Sequence, residues 1–392
     1  MKILFYRYNS ICEPDILAAF RILGHEIIEE QTEMTDKSIT SAQCVKLVSE
    51  KLMNDKFDAV FSMNFYPALA EVCNIFRIPY ICWIVDCPVM ELYSYSLAKP
   101  YNKVFIFDRQ TYEELYNVNP QGIFYFPLGT NVEKNDEIIK SIDKKDIEKY
   151  SHDISFIGSL YREKCTYNNI ADRLPDYVRG YLDGIIEAQY LIYGYNMVEE
   201  ALDDKMVNEF NKYATAYSFP ELSYHNHKAA IAQLVINSKV TELERYRLLG
   251  ALSERYDVNV YTLSDTSEIP KVHNMGYAKS NCEMQKIFNL SKINLNMTSK
   301  AIRTGLSLRI WDVLGCGGFL ITNYQQELME YFQIGQDLET YGSKEELLDK
   351  VQYYLSHEDE RKQIVLNGYE KVSKLHSYVK RIEEMLEIVQ RH

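Results

Sequence analysis

Short apolar runs alternate with amphipathic stretches along the chain, and they do so in two successive blocks. In the first 130 residues KILFY, HEIIE, DAVFSM, PYICWIV, KVFIF and IFYFP have the length and composition of strands. Between them, residues 14–24, 41–54, 67–77 and 110–117 carry apolar positions at helical spacing. Strands alternating with such helices predict a parallel sheet covered on both faces, with ligands at the strands' carboxyl ends. The pattern then turns charged in EKNDEIIKSIDKKDIEKYSHD, so residues 1–132 are expected to form one domain and 133–152 a linker. A second block starts at DISFIGSLYREK and runs to residue 375, with a Tyr-rich helical insertion over about 166–250. DVNVYTL, KVHNMGY, INLNM and FLITN are its further strands, and residues 376–392 form a terminal helix with the first domain as packing partner. Neither a solenoid repeat nor a low-complexity tract interrupts this plan.

The stretch TGLSLRIWDVLGCGGFLITN, 304–323, raises the first chemical question. Leu308, Trp311 and Leu314 mark the buried face of a short helix, and Gly315, Gly317 and Gly318 let the chain turn from it into a strand. Thr304, Gly305 and Ser307 stand where helix N-terminal N–H groups have no internal partner, an arrangement that attracts phosphate. Arg309 adds a planar fork suited to phosphate oxygens, and Asp312 can accept two hydrogen bonds from a ribose diol. The alternative is an ordinary helix in which Arg309 pairs with Asp312 three residues on.

Other segments offer partners for that corner. ISFIGSLYREK leads from a strand into Gly158, where backbone can approach a ligand, and then to Arg162, which can reach a phosphate; a surface loop of solvated charges is the competing reading. KVHNMGYAK places Gly276 and Tyr277 beyond a strand, where backbone and ring can read a nucleobase, while His273 is expected to be structural. In the first block, WIVDCP puts Asp86 after an apolar strand, as a general base or as a turn-capping acid. Asn9 and Ser10 end the first strand and Asn64 another, well placed to touch an acceptor or donor sugar; Asp108 closes KVFIFD in the same way, and His25 is expected to be structural.

Composition narrows the function without choosing it. At 392 residues, 46% hydrophobic and 25% charged, the chain has ample core for two or three domains. A net charge of −13 disfavours a general nucleic-acid binder. Eight cysteines without metal-ligand spacing, several in apolar runs, fit a reducing cytoplasm, and no metal site is expected. MKILFYRYNS is too short an apolar run before Arg7 for a signal peptide, and nothing approaches the ~20 apolar residues of a membrane span. There is no G-x-x-x-x-G-K-[ST], no G-x-G-x-x-G, no D-x-D and no G-x-S-x-G. Phosphate charge must then be met by backbone amides, helix dipole and arginine.

INLNM, TGLSLRIWDVLGCGGFLITNYQQELMEYF and YYLSHEDERKQIVLNGYEKV resemble the carboxyl half of CgeB-like, group 1 bacterial glycosyltransferases of GT-B fold. IPYICWIVDCP, LYSYSL, NKVFIFD and YFPLGTN are similar to the amino-terminal domain that accompanies it, so the resemblance covers nearly everything outside 166–250. It implies an α/β protein with two Rossmann-like domains facing across a cleft, acceptor mainly on the first and nucleotide-sugar on the second. Against the E-x7-E pattern of larger retaining relatives, Asp312 falls at the second glutamate, which holds the ribose. Gly305 falls after the first, where amides meet the diphosphate. Gly158 and Arg162 fall in the loop that also cradles it, Gly276–Tyr277 where the base is read, and Asp86 near a donor-sugar-contacting position. Thr304 replaces the first glutamate and Arg309 a proline, which leaves retention or inversion open.

The expected activity is therefore metal-independent transfer of a hexose or N-acetylhexosamine from a nucleoside diphosphate sugar, UDP-linked by preference, with no obligatory cofactor. The implied acceptor is a cell-surface glycan or surface protein, and Asp86 is the acceptor-activating base if the reaction inverts. A sugar-nucleotide epimerase of the same fold and a non-catalytic sugar-nucleotide-binding protein of a glycosylation complex are the alternatives.

Overall fold

The central strands of the first block are buried on both faces, which is why they read as unbroken apolar runs instead of alternating ones. A computed structural model describes residues 1–220 and 222–392 and resolves into two compact units. Glu221, inside the expected insertion, lies outside the described residues.

The first unit comprises Met1–Gly129, Phe219–His225 and His376–His392. Its six parallel strands are β1 (Lys2–Tyr6), β2 (Glu26–Glu30), β3 (Ala59–Met63), β4 (Tyr80–Trp83), β5 (Asn102–Ile106) and β6 (Ile123–Tyr125), in the order β2-β1-β3-β4-β5-β6. Connections lead from β1 towards β2 on one side and from β3 towards β4 on the other, so the order reverses between β1 and β3. That reversal opens a crevice at the carboxyl ends of those two strands. The crossover helices start where their sequence says they should. Pro67 opens Pro67–Phe76, and Thr40 with Gln43 forms a capping box on Ser41–Asn54. The terminal helix Tyr378–Arg391 belongs to this unit, with Tyr378 edge-on to Trp83 at 5.9 Å and Arg381 Nε donating to the Leu128 carbonyl at 3.2 Å.

The second unit, Thr130–Ser218 and Asn226–Leu375, holds β7 (Ile154–Ile157), β8 (Val258–Tyr261), β9 (His273–Asn274), β10 (Ile293–Asn296), β11 (Leu320–Asn323) and β12 (Glu339–Tyr341). They are parallel in the order β12-β11-β10-β7-β8-β9, reversing between β10 and β7.

Three sequence expectations need correction. Residues 133–152 are not a linker: they form helices Val132–Lys140 and Lys144–Tyr150, capped by Asn131 and Asp143, inside the second unit. Their charges are paired with packed helices, as in Lys286–Asp146 at 2.6 Å and Tyr150–Glu283 at 2.8 Å, so polarity signals a docked surface. The helical insertion also ends earlier than residue 250. Leu248, Leu249 and Leu252 of helix Asn237–Ser253 share a core with Ile154, Val258 and Val260, making this the sheet's own crossover helix. Finally, residues 219–225 leave the insertion and join the first unit, where Tyr95 N–H donates to the Leu222 carbonyl at 2.9 Å and Tyr224 N–H to that of Tyr93 at 2.8 Å.

Candidate active site

In the second unit the helix predicted at 304–323 is Leu308–Gly315, with Ser307 as its N-cap residue. Ser307 does not cap with its side chain. Its hydroxyl lies instead 3.3 Å from Asn296 Nδ2 and 3.3 Å from Thr298 Oγ1, at the carboxyl end of β10. The first amides of the helix are thus left without a side-chain cap beside the sheet's reversal point, where an anion would be favoured. Asn296, Thr298, Thr322 and Asn323 beneath them are buried and bonded to one another, a pre-organised polar floor.

Arg309 and Asp312 form the i,i+3 pair that was the alternative reading. Arg309 Nη1 lies 3.3 Å from Asp312 Oδ2, Thr130 Oγ1 donates to Asp312 Oδ1 at 3.3 Å, and the guanidinium stands 5.1 Å over the Phe288 ring. Both side chains keep about a fifth of their surface, 23% and 22%, so a ligand can reach them by exchanging this weak pair.

Arg162, expected near the diphosphate, is held here by two glutamates. Its Nη atoms hold Glu268 bidentately at 2.5 and 2.7 Å and its Nε holds Glu242 at 3.0 Å, over the Tyr246 ring. Its charge is neutralised where it stands. Gly158 has a negative φ and a Cβ there would meet only ordinary contacts, at 3.4 Å or beyond, so steric need does not explain it. Gly276 does require its glycine, with φ at +75°, and Tyr277 beside it is exposed. Both follow β9, two strands from the reversal point. His273 meets Asp257 at 2.8 Å on the surface.

Two residues in this unit escaped sequence reasoning. Arg245 is buried, and its Nη atoms donate to the carbonyls of Ser159 after β7 (2.5 Å) and Met297 after β10 (2.6 Å), pinning both loops that flank the reversal point. Its Nε has no partner, and burial pushes its pKa down from the ordinary value. Glu327, 2% exposed, accepts the Thr304 hydroxyl at 2.7 Å, so a buried carboxylate stands against Thr304. A buried arginine in a helix that reads NSKVTELERYRLLG, and a glutamate in a polar turn, carry no local signal that separates them from surface charges. Gly305 lies in the same turn, its carbonyl accepting from Gln325 Nε2 at 3.4 Å.

In the first unit, the residues singled out after β3 and β4 do converge. Asn64, at φ +55°, gives its amide N–H to Asp86 Oδ2 at 2.6 Å and to the Tyr8 hydroxyl at 2.7 Å. Its carbonyl accepts from the backbone N–H of Val85 (3.0 Å) and Asp86 (3.2 Å). One side chain therefore fixes the ends of β1, β3 and β4 at the reversal point. Asn9 itself is exposed at φ +74°, its N–H given to Glu13 Oε2 at 3.1 Å, and Ser10 accepts the Glu13 N–H at 3.1 Å. Tyr8 occupies the place expected of them. Asp108 caps helix Arg109–Leu115 by accepting from Thr111, and His25 sits 3.1 Å from the terminal amine; both are structural. A cavity of about 480 Å³ opens beside Asp86, walled by Tyr6, Tyr8, Tyr66, Glu33 and Glu91.

Among the described residues no cluster of three or more His, Cys, Asp or Glu could hold a metal ion, and no helix is long and apolar enough to cross a membrane. Residues 230–387 match the family described as glycosyl transferase-like. No curated protein matches the chain in sequence. Solved structures do match over its whole length. A glycosyltransferase from Rickettsia africae is 14% identical with a TM-score of 0.57, all of this chain and 98% of that one being covered. Anabaena HepE in complex with UDP and glucose is 12% identical with a TM-score of 0.54 over the whole of both chains. Sucrose-phosphate synthase from Thermosynechococcus elongatus is 10% identical with a TM-score of 0.56, covering all of this chain and 98% of that one. At these identities the likeness carries the fold: two Rossmann-like α/β units of the GT-B type.

Proposed function

We propose that the protein is a glycosyltransferase that takes a hexose or N-acetylhexosamine from a nucleoside diphosphate sugar, UDP-linked by preference. The observation that carries this reading is the helix Leu308–Gly315, whose first amides lack a side-chain cap beside a polar floor, within the segment that matches the glycosyl transferase-like family. In this reading those amides and Arg309 receive the diphosphate, Asp312 the ribose, and Gly276–Tyr277 the base. Arg245 sets the two loops around them, and Gly158 lies in one of these. As the anomeric carbon–oxygen bond to the diphosphate breaks, charge grows on the leaving oxygens, and fixed N–H donors stabilise it there. The helix dipole and Arg309 supply the countercharge without a metal ion. Asp86, oriented by Asn64 and Tyr8, accepts the acceptor hydroxyl proton if the reaction inverts.

UDP recorded in HepE and the amino-half motifs support this assignment, and the CgeB-like motifs favour a bacterial, cytoplasmic enzyme that glycosylates a surface glycan or surface protein. The Thr304–Glu327 bond favours a second reading, in which a protein lacking the first glutamate binds donor without turning it over. Titration of the full chain with UDP in a calorimeter tests the first requirement, and slow release of UDP from UDP-glucose separates the two readings. Arg309→Ala is expected to weaken UDP by about tenfold or more, the size of one lost charge-assisted contact. Unchanged affinity refutes the diphosphate assignment.

A further inference from the structure

The cavity of the first unit has a charge balance that the proposed function does not explain. It lies at the carboxyl ends of β1, β3 and β4, and at about 480 Å³ it is in the range of small-molecule sites. Hydroxyl and ring surface from Tyr8 and Tyr66 suits a polyhydroxylated ligand. Among the described residues that line it are three carboxylates, Glu33, Asp86 and Glu91, and no lysine, arginine or histidine.

Glu33 and Asp86 are held by neutral donors alone. Glu33 accepts from the hydroxyls of Tyr6 at 2.7 Å and Tyr66 at 3.0 Å, and Asp86 from Asn64 and Tyr8. Burial raises all three phenols above their ordinary value, so they remain neutral donors. Among the described residues, none of the three carboxylates makes an ion pair. The neighbouring cations Arg7 and Lys37 are not among the lining residues. Arg7 pairs with Glu13 (3.1 Å) and Glu29 (2.5 Å), while Lys37 donates to the Tyr8 carbonyl and lies 5.7 Å from that ring's centre. Like charges lining one cavity, with Glu33 and Glu91 partly buried and Asp86 exposed, repel one another, and a ligand cation relieves that repulsion while a ligand anion adds to it.

We infer that this cavity binds a hydroxylated acceptor carrying a protonated amino group, an unacetylated amino sugar or an equivalent amino-polyol, and rejects phosphorylated or carboxylated sugars. Calling the occupant an acceptor rests on the proposed function; the charge preference rests on the cavity alone.

The test uses the full chain and no donor. Glucosamine, galactosamine and mannosamine are titrated below neutral pH, where their amines are protonated, beside the methyl glycosides of the parent hexoses and glucose 6-phosphate, with binding read by saturation-transfer NMR. At least one amine is expected to bind about tenfold more tightly than its neutral counterpart, with no saturable binding of the phosphate. Glu33→Gln keeps an oxygen acceptor for one of the two tyrosines and offers the other phenol oxygen an N–H donor, and is expected to abolish the tenfold preference; Glu91→Gln serves if the first variant does not fold. Equal binding of amine and neutral sugar, binding of the phosphate, or no saturable binding of any amine overturns the inference. UDP titration of the same samples keeps the two conclusions apart: UDP binding with the wrong charge order removes only the cavity assignment, and absence of UDP binding removes the proposed function.

Discussion

Replacing Asn64 by alanine deletes the one side chain that ties together the ends of β1, β3 and β4. Four hydrogen bonds disappear: two from backbone N–H groups at 3.0 and 3.2 Å, one to Tyr8 and one to Asp86. Neutral bonds of this kind contribute about 1 kcal/mol each. The bond to Asp86 is charge-assisted, but Asp86 is solvent-exposed, so we assign it about 1 kcal/mol as well. Alanine at φ +55° adds about 1 kcal/mol of backbone strain that asparagine tolerates better. The expected loss is about 4–5 kcal/mol in the stability of the first unit. Asn64→Gly removes the same bonds without the strain and should recover about 1 kcal/mol relative to alanine. The chain has two tryptophans, Trp83 on β4 and Trp311 in helix Leu308–Gly315. In a Trp311→Phe background, fluorescence during urea unfolding therefore reports the first unit. A shift under about 1 kcal/mol for Asn64→Ala would mean that the four bonds are replaced by water at no cost, and the site's rigidity would need another source.

Two further outcomes follow from the second unit. Glu242 is 1% exposed; burial works to raise its pKa, yet Lys239, Asn168 and Arg162 outweigh that and hold it below the ordinary carboxylate value. A depressed folded pKa contributes stability that is present above the unfolded value of about 4.3 and is lost as pH falls through the folded one. Glu242→Gln should thus cost about 3 kcal/mol at neutral pH, as for a broken buried pair, with the gap to the parent closing in acid; a pH-independent gap in urea midpoints contradicts the ion-pair account. Gly368 lies inside helix Glu358–Leu375, where alanine ordinarily stabilises by about 1 kcal/mol, but its Cβ would sit 2.3 Å from the Asp337 carbonyl oxygen. Gly368→Ala is expected to lower the melting midpoint, and a rise would show that this approach relaxes freely.

Periodicity determined the central strands, because each lies in a sheet covered on both faces and so needs an apolar run. It failed at β12, whose ETY is polar. Glu339 is buried there only because Lys350 meets it at 2.6 Å and Tyr354 at 3.1 Å, partners that lie a helix away. The same blindness turned residues 133–152 into a linker, since a charge satisfied across a helix interface and a charge in water look alike in sequence. For the site, residues next to strand ends were legible as positions: Asn64 and Asp86 meet because β3 and β4 are neighbours. Roles were less legible. Whether Arg162 reaches a ligand or Glu268, and whether a buried Arg245 joins two loops, depends on which helix packs over which strand end. Hydrophobic pattern is a local property and fixes the elements, whereas the partner of a charge is a long-range one that only the packed fold decides.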